Sequence, residues 1–176
     1  MWGTAKHLAA TRARLLLNAV LALVGSLVYL NSLGKPFMFD DMSAVVNNER
    51  IRDLSDLPNV LSPERERPVA GRPLANLSLA FNYALGKLDV VGYHLWNIAV
   101  HVLCGMLLFA VVRHALLLPN LPAEFVDSAT ALGFVAALLW MLHPLNSEVV
   151  TYVTQRTESM MAFFYLLTFY ASLRAR

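Results

Sequence analysis

Charge is scarce in this 176-residue chain: 15% of the residues are charged against 57% hydrophobic, and the formal net charge is only +2. With its lysines and arginines scattered rather than clustered, the chain offers no nucleic-acid surface. Cysteine is scarcer still. Cys104 is single and set in an apolar segment, which excludes an internal disulfide framework and a cysteine-based zinc cluster. Internal repeats and low-complexity tracts are absent as well.

What is present in excess is apolar helix-forming sequence, and that composition points to an all-α integral membrane protein. A bilayer core needs about 20 apolar helical residues, because backbone amides in lipid must be satisfied within their own segment. The pattern predicts about four transmembrane helices plus one or two interfacial helices on the external side. Residues 1–14 form a cytoplasmic tail and 15–33 the first span, followed by an external loop over 34–92. The second span covers 93–118. Residues 119–128 make a cytoplasmic turn and helix start, where Glu124 and Asp127 suit a helix N-terminus, and 129–143 make the third span. An external polar helix over 144–158 leads to the fourth span and basic end at 159–176.

Lys6, Arg12 and Arg14 precede the first span, Arg113 sits near the end of the second, and Arg174 and Arg176 follow the fourth. The bias toward cytoplasmic positive charge then puts both termini in the cytoplasm. The first apolar run outlasts most signal cores and lacks a convincing cleavage site, so it is expected to remain as an anchor. Compact loops and the uncleaved anchor favour a bacterial inner membrane with the 34–92 loop periplasmic, and an endoplasmic reticulum membrane satisfies the same topology.

Within the external loop, "RPLANLSLAFNYALG" places Pro73 in a first helical turn and Leu74, Leu77, Phe81, Ala84 and Leu85 at helical spacing. This predicts an interfacial helix over 73–86 with Asn76 and Asn82 among its polar positions. The Asn-Leu-Ser triplet at Asn76 is an incidental sequon on such a helix.

Three groups have chemistry to offer. Asp40 and Asp41 lie just beyond the first membrane exit, where adjacent carboxylates can bind a divalent cation, supply a general base, or simply belong to a solvated turn or helix cap. His94, Asn97 and His101 share one face of the second span and suit interhelical hydrogen bonds, with a metal site weakly signalled. In "HPLNSEVVTYVTQRTES", Pro144 interrupts the third span. His143, Glu148, Arg156 and Glu158 then join Asp40 and Asp41 on the external side, as does Arg72, a guanidinium suited to a phosphate or carboxylate. Interfacial ion pairs tying the loops together account for the same residues.

In order and approximate spacing, "FMFDD" with "VVNNERI", "RPLANLSLAFNYALG", "GYHLWNIAVHVL" and "LLWMLHPLNSEVVTYVTQRTESM" resemble the N-terminal part of the membrane domain of the transmembrane and tetratricopeptide-repeat protein O-mannosyltransferases. These are similar to other members of glycosyltransferase superfamily C, which use lipid-phosphate sugars. The resemblance implies inverting transfer of a sugar from a polyprenyl phosphate to an acceptor hydroxyl. It puts the catalytic base or metal-binding group on Asp40 or Asp41, and lipid-phosphate or acceptor contacts on Arg72, His143, Glu148 and Arg156. Family members resemble one another in having many more spans.

Two functions follow. One is a non-catalytic scaffold or accessory subunit of a larger membrane complex, with membrane lipid and other membrane-protein subunits as partners. The other is a glycosyltransferase, or part of one, with a polyprenyl-phosphate sugar as donor and a divalent cation if catalysis requires it. Neither reading involves nucleic acid.

Overall fold

The computed structural model describes residues 2–119 and 121–175, with side chains from residue 8 onward. The Lys6 side chain and Arg176, both used above to orient the chain, lie outside the described residues. The described residues form helices and no strands: α1 (Trp2–Tyr29), α2 (Leu57–Val60), α3 (Pro73–Gly86), α4 (Val90–Leu116), α5 (Ala123–Met141), α6 (Ser147–Thr151) and α7 (Arg156–Arg174), joined by loops, short 3-10 turns and one π-helical turn at Met42–Val46.

Three of these helices are long and apolar enough to cross a membrane, over Leu8–Ser32, Val90–Leu116 and Ala123–Met141. The expected fourth span, α7, falls short because it opens on Arg156, Thr157, Glu158 and Ser159 and closes on Arg174. The first helix starts at Trp2, upstream of the expected Leu15, since nothing in residues 2–14 breaks a helix. An integral membrane protein built of apolar helices stands.

The chain divides into two compact units, the first made of residues 1–28, 101–143 and 163–176, the second of 29–100 and 144–162. In the first, Leu21, Phe109, Ala137 and Met141 are buried together, with Leu17, Phe134, Leu138 and Trp140 packed against them. Glycine sets the approach of α4 and α5. A Cβ on Gly133 would stand 3.1 Å from the Phe109 carbonyl oxygen and 3.2 Å from the Arg113 amide nitrogen, so a side chain there would push the two backbones apart by a few tenths of an ångström. Met141 fills the space beside Gly25 and Gly105. Leu15, Leu16, Leu23 and Leu27 of α1 are more than half exposed, as a lipid-facing surface requires.

The second unit contains most of the long loop, which is a folded body with its own core of Val45, Ile51, Val60, Val69, Leu79, Tyr93 and Val153. Helix α3 explains how. It begins with Pro73 at its first turn and ends at Gly86, after which Lys87 takes a left-handed φ of 54° and returns its amide to the Tyr83 carbonyl at 2.8 Å. Its small and polar residues Ala75, Asn76, Ser78 and Asn82 turn inward, while Leu74, Phe81 and Leu85 stay exposed, an outward apolar stripe suited to a bilayer surface. Asn76, wholly buried, donates to the Val60 carbonyl at 2.6 Å and accepts from Asn48 Nδ2 at 3.0 Å. Its amide is therefore unavailable to a glycan.

Candidate functional site

The site grows from the segment that follows α1. Phe37 anchors it by setting its ring edge-on to Tyr93, with centroids 5.3 Å apart. His94 on α4 hydrogen-bonds the Lys35 carbonyl through Nε2 at 3.0 Å. Between this anchor and the π-helical turn, Phe39 has a φ of 45° and is 82% exposed. Left-handed backbone at a bulky residue is strained and persists only where its surroundings hold it.

The two residues after it are held, and held differently. Asp41 is buried: Oδ1 accepts the Thr154 amide at 2.7 Å and the Thr154 hydroxyl, and Oδ2 accepts the Met38 amide at 3.2 Å. Asp40 is exposed, and its amide donates to the Tyr152 hydroxyl at 2.8 Å. Among the described residues no hydrogen bond or ion pair reaches the Asp40 carboxylate. The two adjacent carboxylates thus have different surroundings: both oxygens of Asp41 accept protein donors, and those of Asp40 take none among the described residues. No group of three histidine, cysteine, aspartate or glutamate side chains among the described residues could hold a metal ion.

Beside these aspartates lies a cleft of about 350 Å³ lined by Lys35, Met38, Phe39, Asp41, Glu148 and Tyr152, among others. Partial burial raises the Tyr152 phenol above its ordinary range, and the Asp40, Asp41 and Glu148 carboxylates push the same way against the Asp40 amide bond. Tyr152 thus keeps its proton at neutral pH. Since it accepts the Asp40 amide, its own O–H is left to donate.

The irregular backbone from Val150 to Arg156 is secured from α3 and α4. Asn97 Nδ2 donates to the Tyr152 carbonyl at 3.1 Å and, at 3.4 Å, to those of Val150 and Val153. Its Oδ1 accepts Arg156 Nε at 3.0 Å. Arg156 also donates to Ser78 Oγ at 3.2 Å and the Tyr93 carbonyl at 3.0 Å, with its guanidinium near the faces of Tyr93 and Trp96. Burial pulls the Arg156 pKa down, partly offset by Tyr93 and Asp41, and a guanidinium so bonded stays charged.

These positions redistribute the expected roles. Arg156, expected at a lipid phosphate, is 1% exposed and engaged by protein through three nitrogens, so it is an internal tie. Arg72 is exposed but bonded to Glu158 at 3.0 Å and to Thr157 Oγ1 at 3.1 Å. Glu148 lines the cleft. His143 belongs to the first unit, where it is exposed and its amide donates to the Trp140 carbonyl. His101, also in that unit, hydrogen-bonds the Met141 carbonyl at 3.0 Å and stacks on Trp140. Thr154 and Lys35 join the site without a local pattern that marks them. The run "TYVTQRT" is rich in hydroxyls, but only tertiary contact attaches it to the aspartates.

The sequence is similar to that of known proteins. The chain is 31% identical over 150 residues to protein O-mannosyl-transferase TMTC3 of Mus musculus, covering 80% of this chain and 15% of that protein. Against protein O-mannosyl-transferase Tmtc3 of Drosophila melanogaster it is 32% identical over 160 residues, covering 80% and 17%. The chain is homologous to part of the protein O-mannosyl-transferases. A further relative, protein O-mannosyl-transferase TMTC4 of Mus musculus, is 30% identical over 163 residues, 85% of this chain and 22% of that protein. The chain therefore spans less than a quarter of the length of these curated relatives. No family model matches it, and no solved structure does. These O-mannosyl-transferase relatives are animal proteins and lend no support to a bacterial inner membrane, so what stands is the integral membrane protein.

Proposed function

We propose that this chain carries the acceptor-activating part of a polyprenyl-phosphate-sugar-dependent O-glycosyltransferase, with Asp40 as general base. The observation that carries the reading is the contrast between two neighbours: Asp41 lines the cleft but is buried and consumed by Thr154 and Met38, while the next residue, Asp40, is exposed with a carboxylate that no described residue bonds. Its kinship with O-mannosyl-transferases makes a sugar-transfer chemistry the natural use of that carboxylate.

In this reading the acceptor hydroxyl oxygen bonds to the anomeric carbon of the sugar. The bond from that carbon to the phosphate oxygen breaks, its electron pair leaves on the lipid phosphate, and the hydroxyl proton passes to Asp40. Lys35 is the cation of the cleft, and Tyr152 offers a neutral donor.

The test is sugar transfer in membranes containing the chain, with a polyprenyl-phosphate mannose donor. Asp40→Asn is expected to lower transfer roughly a hundredfold or more, as loss of a general base does, while the protein remains folded by size-exclusion profile. Undiminished transfer by that variant sinks the reading.

The accessory-subunit reading draws on a different observation. Asp41, Arg72 and Arg156 all serve internal bonds, as they would in a scaffold whose polar residues hold its shape. It predicts recovery in fixed stoichiometry with other membrane proteins, unchanged by Asp40→Asn.

A further inference from the structure

The first unit contains a second cleft, of about 280 Å³, that the site above does not use. It is bounded by α1, α4 and α7, and its lining includes Arg14, Asn18, Arg113, His114 and Tyr170. Two half-buried guanidiniums line one small space. Among the described residues neither has an acidic partner: the ion pairs are Arg50–Glu64, Arg67–Glu64 and Arg72–Glu158.

Their protein bonds are all to neutral oxygen. Arg14 donates to the Ala10 carbonyl and to Thr11 Oγ1, and Arg113 Nε donates to Thr130 Oγ1 at 3.1 Å. Among the described residues, both terminal nitrogens of Arg113 and one of Arg14 have no protein acceptor. Like charges brought together on apolar helices are costly unless an anion answers them. A forked pair of guanidiniums matches the oxygens of a phosphate better than a single carboxylate.

We propose that this cleft binds a phosphate group, with Arg14 and Arg113 as its cationic donors. Because α1 and α4 are candidate spans, the phosphate of an anionic lipid headgroup is within reach, and basic recesses between membrane helices bind such headgroups. Free phosphate presents the same oxygens.

Native mass spectrometry of the purified chain with dioleoyl phosphatidic acid, dioleoyl phosphatidylcholine and inorganic phosphate tests this. Phosphatidic acid is expected to be retained about tenfold over phosphatidylcholine, a preference that Arg14→Gln with Arg113→Gln abolishes. Arg12→Gln removes one positive charge from the exposed side of α1 and should leave the preference intact. If excess inorganic phosphate displaces the lipid, the site reads the phosphate whatever carries it; if not, it requires the lipid. Either result supports the site. Equal retention of phosphatidic acid by wild type and double variant, or an equal loss on Arg12→Gln, overturns it. Should the double glutamine variant not fold, Arg14→Lys with Arg113→Lys keeps the charge without the fork, and an unreduced preference there counts against the proposed geometry.

Discussion

Asp41 and Thr154 lie 113 residues apart in sequence and share two hydrogen bonds, from the threonine amide and hydroxyl to one carboxylate oxygen. That junction fastens the segment after α1 to the irregular run before α7. The carboxylate of the adjacent Asp40 remains outside it, though its amide donates to Tyr152 in the same run.

Stability should therefore separate the two aspartates. Asp41→Ala orphans the Thr154 and Met38 donors and is expected to cost about 2–4 kcal/mol, whereas Asp40→Asn should stay within about 0.5 kcal/mol. Thermal unfolding in mild detergent, followed with a dye that reacts with the buried thiol of Cys104, measures both. Equal losses would mean that the junction is not where the segment is held.

Arg156 should tolerate no replacement. Removing it as Arg156→Ala leaves Asn97, Ser78 and the Tyr93 carbonyl without a donor, and a loss of about 3–5 kcal/mol is expected, as for a broken buried charge network. Arg156→Lys keeps the charge but cannot fork to three acceptors, so it should recover only part of the loss. Limited proteolysis should open residues 144–158 first in both variants. A lysine variant as stable as wild type would show that charge alone, not the fork, is required.

The Arg72–Glu158 pair offers the contrast. Its side chains are 47% and 39% exposed, so solvent screens a bond of ordinary length, 3.0 Å. A double-mutant cycle with Arg72→Ala and Glu158→Gln should give a coupling below about 1 kcal/mol, shrinking as salt is raised. A coupling as large as the Arg156 effect would place Arg72 in the folding network after all.

Topology provides a test of the fourth crossing. With Cys104 replaced by serine, single cysteines at Arg12, Ser55 and Ala175 report the compartments of the N-terminal helix, the loop and the end of α7. A crossing by α7 places 12 and 175 together and 55 opposite. Labelling of 175 together with 55 would reduce the spans to the three helices that meet the length and apolarity requirement.

Much of the architecture was legible in the sequence, because membrane crossing depends on local apolar length and backbone satisfaction, and both are written residue by residue. The apolar runs of α1, α4 and α5 and the helix opening at Pro73 belong to that class. What tertiary structure alone decided is which charge is spent and which is left. Asp40 and Asp41 are indistinguishable as neighbours, and Arg156 reads like any external cation, until Thr154, Asn97, Ser78 and the Tyr93 carbonyl arrive from distant segments. Burial of a charge depends on partners far along the chain, and no local pattern encodes where those partners will stand.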